Sequence, residues 1–591
     1  MKFLLCGINA KYIHSNLAVY CLKAYADRKQ IDGAEIMIKE YTINQYVEDI
    51  LCDLYECEAD VIVFSCYIWN IAYVRELMGE LKKLNPQIGI WVGGPEVSYH
   101  AERFLKENPA VDLVMQGEGE EVFVRLIRWQ IEESREITPG QIPGIVYRQG
   151  ESGTENTGFA PLMDMDCVPF VYENFQFFEH KILYYETSRG CPFRCSYCLS
   201  SVDKTVRFRS IDLVKKELDC FLKAKVPQVK FVDRTFNCNR ERALIIWKYL
   251  TEHDNGVTNF HFEISSDLLG EEELALFEKM RPGLIQLEIG VQSTNKRTID
   301  AIHRHMNLPR LFANVDRVHK LGNIHQHLDL IAGLPYEDYE SFARSFNELY
   351  VHEPDQLQLG FLKVLKGTVM EEEAEKYGIV YRTMPPYEVL KTKWLSYEEI
   401  ILLKGIEELV EIYYNSGQYK TSLKFAMPYF ESPFRFFELF SEEYRKKGYH
   451  KANHSRMGKY EIFREFLREF LPEENWGDLD ETILFDMYAR EKIKGRPDWA
   501  PDLSPFKKEW KELYRSKGEK LFPDAVKKGC YDSKQVANRS HIEPFSFDVV
   551  RFGKTGEVIR KNVFCLFDYE TRNPLDYSAR TFVWEKEEEK R

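Results

Sequence analysis

The stretch Thr187-Ser188-Arg189-Gly190-Cys191-Pro192-Phe193-Arg194-Cys195-Ser196-Tyr197-Cys198 sets three cysteines at the spacing C-x3-C-x2-C, directly after a predicted strand at 183–187. Soft thiolates on so short a loop can wrap three irons of a [4Fe–4S] cube. No fourth cysteine stands at a matching distance in the sequence. One iron is therefore left open, and an open iron can chelate a substrate as well as pass electrons. A structural zinc site would want four ligands, usually as two separated pairs, and a simple electron-transfer cluster would want its fourth cysteine.

Outward from this loop, strand and helix patterns alternate. Strand candidates at 183–187, 228–233, 259–264, 284–290, 325–330 and 355–362 are each followed by a helical stretch. That repetition predicts a partial (β/α)6 barrel over residues 181–380 rather than a closed eightfold one. Upstream, residues 1–136 read as an α/β domain, with strands at 2–8, 34–40, 60–66, 88–92 and 113–116 and helices at 16–28, 46–56, 74–84 and 120–132. Strands linked by helical crossovers make a doubly wound parallel sheet of flavodoxin type, a Rossmann-like arrangement. Residues 137–180, rich in Gly and Pro, read as a hairpin plus linker. Residues 381–591 read as a mainly helical α+β extension with a short β hairpin, strands 545–551 and 558–568 being split by the turn Gly553-Lys554-Thr555-Gly556. The charged tail at 585–591 reads as a frayed end.

Composition bounds the function. The 591 residues carry 80 Lys and Arg against 94 Asp and Glu, a net charge of −14, which argues against a dedicated binder of nucleic acid or of anionic membranes. The apolar run at 61–69 is far short of a bilayer span, and the N-terminal run is too short for a secretory core, so a cytoplasmic protein is expected. Of the 13 cysteines, ten are scattered (Cys6, Cys21, Cys52, Cys57, Cys66, Cys167, Cys220, Cys238, Cys530 and Cys565) and read as small buried hydrophobes in reduced form. His450, His454 and His541 stand isolated, with solvated or core roles expected.

The cysteine motif, with the aromatic Tyr197 just before its third cysteine, resembles that of the radical S-adenosylmethionine (SAM) superfamily. The likeness extends along the barrel: Phe231-Val232-Asp233-Arg234 ends its second strand, Glu288-Ile289-Gly290-Val291-Gln292-Ser293 resembles the family's "E-x-G-x-Q-S", and Asp329-Leu330-Ile331-Ala332-Gly333-Leu334-Pro335 its "D-x-I-x-G-L-P". The resemblance implies that Cys191, Cys195 and Cys198 hold the cluster and that Tyr197, Asp233, Glu288 and Gln292 belong to the SAM site. It also implies that the open iron takes the amino and carboxylate groups of SAM, and that one electron splits the sulfonium into methionine and a 5′-deoxyadenosyl radical. An external reductant such as a flavodoxin or ferredoxin would supply the electron. At Asp233–Arg234 relatives often show paired acids, so Arg234 departs from the pattern.

The unusual residues of the first domain also fall at C-terminal strand ends: Asn9, Ser65 with Tyr67 and Trp69, Gly93-Gly94-Pro95 and Gly117-Glu118. Glycine there lets backbone approach a ligand closely. A flavodoxin-like domain placed before a radical SAM barrel resembles the cobalamin-binding class of the superfamily. The D-x-H-x-x-G element of other cobalamin domains is missing, since Tyr12 stands two positions before His14; no such histidine should then coordinate cobalt from below. The pairing implies methyl transfer to an unactivated carbon or phosphorus of a small-molecule or peptide substrate. One alternative is a tRNA methylthiotransferase-like enzyme, with Cys6, Cys52 or Cys57, and Cys66 holding a second cluster. The other is a non-catalytic cobalamin or redox sensor. The extension resembles one of unknown function, expected to cap the barrel mouth against solvent.

Overall fold

A computed structural model describes residues 1–131, 138–150, 153–203, 205–516 and 533–585. Residue 137, Cys530 and the tail at 586–591 lie outside them. The chain divides into two compact units: residues 1–324, 331–338 and 361–397, and residues 325–330, 339–360 and 398–591.

The first unit opens with β1 (Lys2–Asn9), β2 (Glu35–Thr42), β3 (Val61–Ser65), β4 (Gly89–Gly93) and β5 (Leu113–Met115), parallel and in the order β2-β1-β3-β4-β5. This is the expected flavodoxin order. The strands are apolar on both faces because both are covered. Leu4, Ile8, Ile62, Phe64 and Ile90 pack toward the helices Val47–Glu56 and Ile71–Leu84, while Phe3, Leu5, Val63 and Trp91 pack toward Leu17–Arg28 and Gly119–Ile131. The hairpin expected after residue 137 is present as β6 (Ile145–Gln149) and β7 (Gly153–Asn156), which extend this sheet antiparallel from β5.

A second parallel sheet begins at β8 (Leu183–Tyr185). Between it and the next long strand, β9 (Ser188–Arg189) and β10 (Arg207–Phe208) form a small antiparallel ribbon that brackets the cysteine loop. Then β11 (Gln228–Phe231), β12 (Asn259–Ile264) and β13 (Ile285–Gln292) pair in the order β8-β11-β12-β13. β13 alternates strictly: Ile285, Leu287, Ile289 and Val291 are buried, and Gln286, Glu288, Gly290 and Gln292 occupy the other face. The last two strands of the expected six are β14 (His325–Ala332) and β15 (Gln356–Phe361). A short antiparallel pair, β16 (Val380–Tyr381) with β17 (Val389–Lys391), closes the first unit.

The second unit is mainly helical, built on Pro433–Lys446, Arg456–Phe470 and Trp476–Arg490. Aromatic side chains form its core: Phe436, Phe440, Phe463 and Phe466 are buried against Tyr413 and Tyr419. The expected hairpin is instead a three-stranded antiparallel sheet of β18 (Ser540–Phe547), β19 (Arg560–Arg572) and β20 (Ala579–Glu585). Residues expected to continue the strand to 551 and then turn form the helix Val549–Thr555. Asp548 caps its start by accepting from the Arg551 N–H, and Gly556 ends it at φ +76°.

Candidate functional site

The cysteine loop is shaped by two local devices. Gly190 sits at φ +91°, and a Cβ there would lie 1.7 Å from the Thr205 carbonyl oxygen, so only glycine fits. The Ser201 hydroxyl then donates to the carbonyls of Cys195 (2.9 Å) and Cys198 (2.6 Å), which folds the second half of the loop back. Cys195 is buried; Cys191 and Cys198 are partly exposed. Burial raises the Cys191 thiol pKa, the Phe193 N–H and the Thr235 hydroxyl pull it back, and the nearby Cys198 and Cys195 push it up again. Three soft donors on one short loop, with no fourth beside them in the sequence, fit an iron–sulfur cluster with one open corner.

At the C-terminal ends of β1, β3, β4 and β5 lies a cavity of about 730 Å³. All eight residues expected at the cobalamin site line it: Asn9, Ser65 and Tyr67; Gly93, Gly94 and Pro95; Gly117 and Glu118. Gly94 is at φ +110°, and a Cβ would meet the Cys66 carbonyl oxygen at 2.5 Å. Tyr67 stacks on Trp69 with ring centroids 4.3 Å apart. A wide cavity floored by glycine turns and an aromatic pair fits a large flat cofactor. His14 also lines it, its Nδ1 lying 2.6 Å from the Tyr184 hydroxyl. The same cavity is walled by Ser188, Arg189 and Gly190 of the cysteine loop and by Val232 and Arg234 after β11.

The residues expected around SAM are placed less uniformly. Asp233 is buried, and its carboxylate accepts from the Thr187 N–H (3.0 Å), the Thr187 hydroxyl (2.6 Å) and the Ser188 hydroxyl (2.5 Å). It buttresses the strand that leads into the cysteine loop and does not line the cavity. Burial raises its pKa, with those bonds pulling back. Glu288 is held by Lys230 (2.9 Å) and His261 (3.0 Å). Burial alone would raise its pKa, but these partners outweigh it and hold the carboxyl well below the usual range. Tyr197 lies beside Cys195 and Cys198. Gln292 takes a left-handed backbone (φ +73°), and its buried amide oxygen has no protein partner.

Four functional candidates escaped the sequence reading. Arg189 pairs with Glu120 (2.5 Å), Glu186 (2.9 Å) and Glu118 (3.6 Å), and Arg207 pairs with Glu118 (2.5 Å). These ion pairs tie the Gly117–Glu120 turn to both ends of the cysteine loop. Arg304 donates to Cys195 Sγ (3.6 Å). Glu186 lines the cavity, and burial raises its pKa. Arg189 and Glu186 stand in or beside the motif itself, but nothing in their spacing announces an ion pair.

Several cysteines differ from the buried reading. Cys52, Cys167 and Cys220 are exposed, and Cys57 and Cys238 are partly so, because they fall on outer helix faces and loops rather than inner ones. Cys6 and Cys66 are buried in the apolar core beside Leu4 and Phe64, which pushes both thiols far up, away from the thiolate form a second cluster would need. His541 is not isolated: its Nε2 lies 2.7 Å from Glu543, and its ring stacks on Tyr488.

Comparison with known proteins places these features. A family model described as B12 binding domain matches residues 4–127, and one described as radical SAM superfamily matches 185–349. The chain thus carries a B12-binding domain followed by a radical SAM domain. Its radical SAM domain implies a [4Fe–4S] cluster and SAM, and its first domain implies cobalamin. A third model, of a protein family of unknown function (DUF4080), matches residues 375–567 in the extension. Among curated relatives, the cobalamin-dependent radical SAM methyltransferase TokK of Streptomyces tokunonensis is 24% identical over 56% of this chain and 50% of its own. The 2-(S-pantetheinyl)-carbapenam-3-carboxylate methyltransferase of Streptantibioticus cattleyicolor is 24% identical over 49% of this chain and 45% of its own. The chain thus spans about half the length of these relatives. The fold is that of the cobalamin-dependent SAM radical enzyme OxsB, with a TM-score of 0.57 at 16% identity over 82% of this chain and 79% of that one. Among the described residues, no helix is long and apolar enough to cross a membrane.

Proposed function

We propose that this radical SAM protein is a cobalamin-dependent methyltransferase that cleaves SAM reductively and delivers a methyl group to an unactivated carbon. The observation that carries the reading is the shared cavity. One wall is the glycine-lined edge of the first sheet, and the other is the loop that begins the cysteine motif. In this reading Cys191, Cys195 and Cys198 hold the cluster, and cobalamin rests against Asn9, Ser65, Tyr67, the Gly93-Gly94-Pro95 turn and Gly117-Glu118. When bound, SAM on the reduced cluster supplies a 5′-deoxyadenosyl radical, and cobalamin supplies a methyl carrier.

The chain's own residues hold that geometry. Gly94 lets the turn after β4 pack against the Cys66 backbone, where a Cβ would clash, and Tyr67 backed by Trp69 gives the cavity an apolar surface. Asp233 fixes the strand end before the cysteines by accepting three hydrogen bonds. Arg189 and Arg207 set the spacing between the Gly117–Glu120 turn and the cysteine loop. The electron would come from an external reductant of flavodoxin or ferredoxin type, and the substrate would be a small molecule or peptide.

The test is anaerobic. Protein reconstituted with iron, sulfide and cobalamin is reduced and supplied with methyl-labelled SAM. The reading expects about four irons per chain, retained cobalamin and release of 5′-deoxyadenosine. Failure to retain cobalamin defeats the methyl-transfer reading, and absence of 5′-deoxyadenosine defeats reductive cleavage.

A further inference from the structure

Arg304 lies beyond β13, and its guanidinium reaches back to the cysteine loop. Nη1 is 3.6 Å from Cys195 Sγ and 3.4 Å from the Tyr197 hydroxyl, and Nη2 donates to the Gly290 carbonyl. Its Nε is buried without a protein partner. Among the described residues no carboxylate pairs with it. A cation withdrawn from water is costly unless an anion compensates it. Its hydrogen-bond partners Tyr197 and Gly290 are neutral, and Cys195 becomes anionic when it serves as a thiolate ligand. The carbonyl and the phenol fix the planar fork so that one N–H points at the sulfur.

We infer that Arg304 is a positioning residue of the iron–sulfur site, donating to Cys195 Sγ and raising the cluster's reduction potential. This rests on the reading above that Cys191, Cys195 and Cys198 hold the cluster. Reduction adds one negative charge, so a fixed cation and an N–H···S bond stabilise the reduced form more than the oxidised one. Tyr197 thereby acquires a role: its hydroxyl holds the guanidinium against the sulfur.

The test is a redox titration monitored by electron paramagnetic resonance on the reconstituted full chain, comparing wild type with Arg304→Lys, Arg304→Gln and Arg304→Met. Iron, sulfide and circular dichroism are measured first. Arg304→Met is expected to make reduction at least tenfold less favourable, a shift of 59 mV for one electron. Arg304→Lys, which keeps the charge, should fall between wild type and Arg304→Gln. If Arg304→Met does not hold a cluster, the ordering of Lys above Gln carries the test. Potentials that coincide with wild type in cluster-loaded variants overturn the inference alone. A wild-type chain that assembles no cluster overturns the functional reading and this inference with it.

Discussion

Arg189, the residue before Gly190-Cys191, closes a 2.5 Å ion pair with Glu120, whose side chain is 5% exposed. The same guanidinium also serves Glu186 and Glu118, so one buried cation balances three carboxylates, with help from Arg207 on Glu118. The cysteine loop and the Gly117–Glu120 turn therefore share one electrostatic joint.

Removing the cation should hurt more than removing one anion. Arg189→Met leaves Glu120 buried and Glu186 half-buried without a counter-charge, and a broken buried pair typically costs about 3–5 kcal/mol. Glu120→Gln leaves Arg189 with two carboxylates and should cost only ~1–2 kcal/mol. Urea unfolding of the two variants, with cobalamin retention as a second measurement, checks the order. Equal losses would show that Arg189 does not integrate the three carboxylates.

Asp233 makes a sharper prediction because it was expected at the SAM site and stands instead as a triple acceptor beneath the loop. Asp233→Asn replaces one of two acceptor oxygens with a donor facing hydroxyl donors. Stability should fall by ~1–3 kcal/mol, since a buried polar group loses its partner. Iron content should fall with it, while SAM affinity per intact cluster stays near wild type. A large loss of SAM affinity at full iron content would return Asp233 to direct contact with SAM.

These placements show what the sequence could and could not tell. The first sheet was legible because fully buried parallel strands leave unbroken apolar runs such as Val61–Ser65, and because glycines mark the strand ends where the cavity opens. All eight residues read as the cobalamin edge line one cavity for that reason. Position along a strand does not fix what a charged side chain touches. Glu288 sits midway along β13 and Asp233 just past β11, yet one pairs with Lys230 and His261 and the other with Thr187 and Ser188. Arg304 stayed unread because its partners, Cys195 and Gly290, lie 109 and 14 residues away and have no helical or strand periodicity linking them. The hairpin expectation fails twice: the cap at Asp548 turns the Gly-containing stretch into a helix, and β20 adds a third strand on the far side of β19.

Two glycines should separate the two cofactor sites. Gly190→Ala places a Cβ 1.7 Å from a backbone carbonyl at φ +91°, and Gly94→Ala places one 2.5 Å from another at φ +110°. Each strains the backbone by about 1–3 kcal/mol or more. Gly190→Ala should lose iron, with cobalamin retention less affected. Gly94→Ala should lose cobalamin and keep its iron. Iron assay and visible spectra on the same preparations check both, and the assignment of the two sites fails if the losses are reversed.

The second unit carries a pH signature of its own. Asp486 is buried, and burial lifts its carboxyl to about 6 against bonds from Ser422 and Thr421 that pull the other way. Its carboxylate accepts from the N–H groups of Thr421 (3.1 Å) and Ser422 (2.8 Å), at the start of the helix Lys420–Ala426. A folded-state pKa above the unfolded value means that the protonated form is favoured on folding. The stabilisation is therefore complete below about pH 4 and is lost as pH rises through about 6. Relative to Asp486→Asn, the wild type should lose roughly 2–4 kcal/mol across that window and stay level on either side. Hydrogen exchange over the Lys420–Ala426 helix, compared between the two proteins at each pH, reads the difference directly because intrinsic exchange rates cancel. A difference that grows with pH would mean that the bonds from Ser422 and Thr421 outweigh burial and hold the carboxyl below its ordinary range.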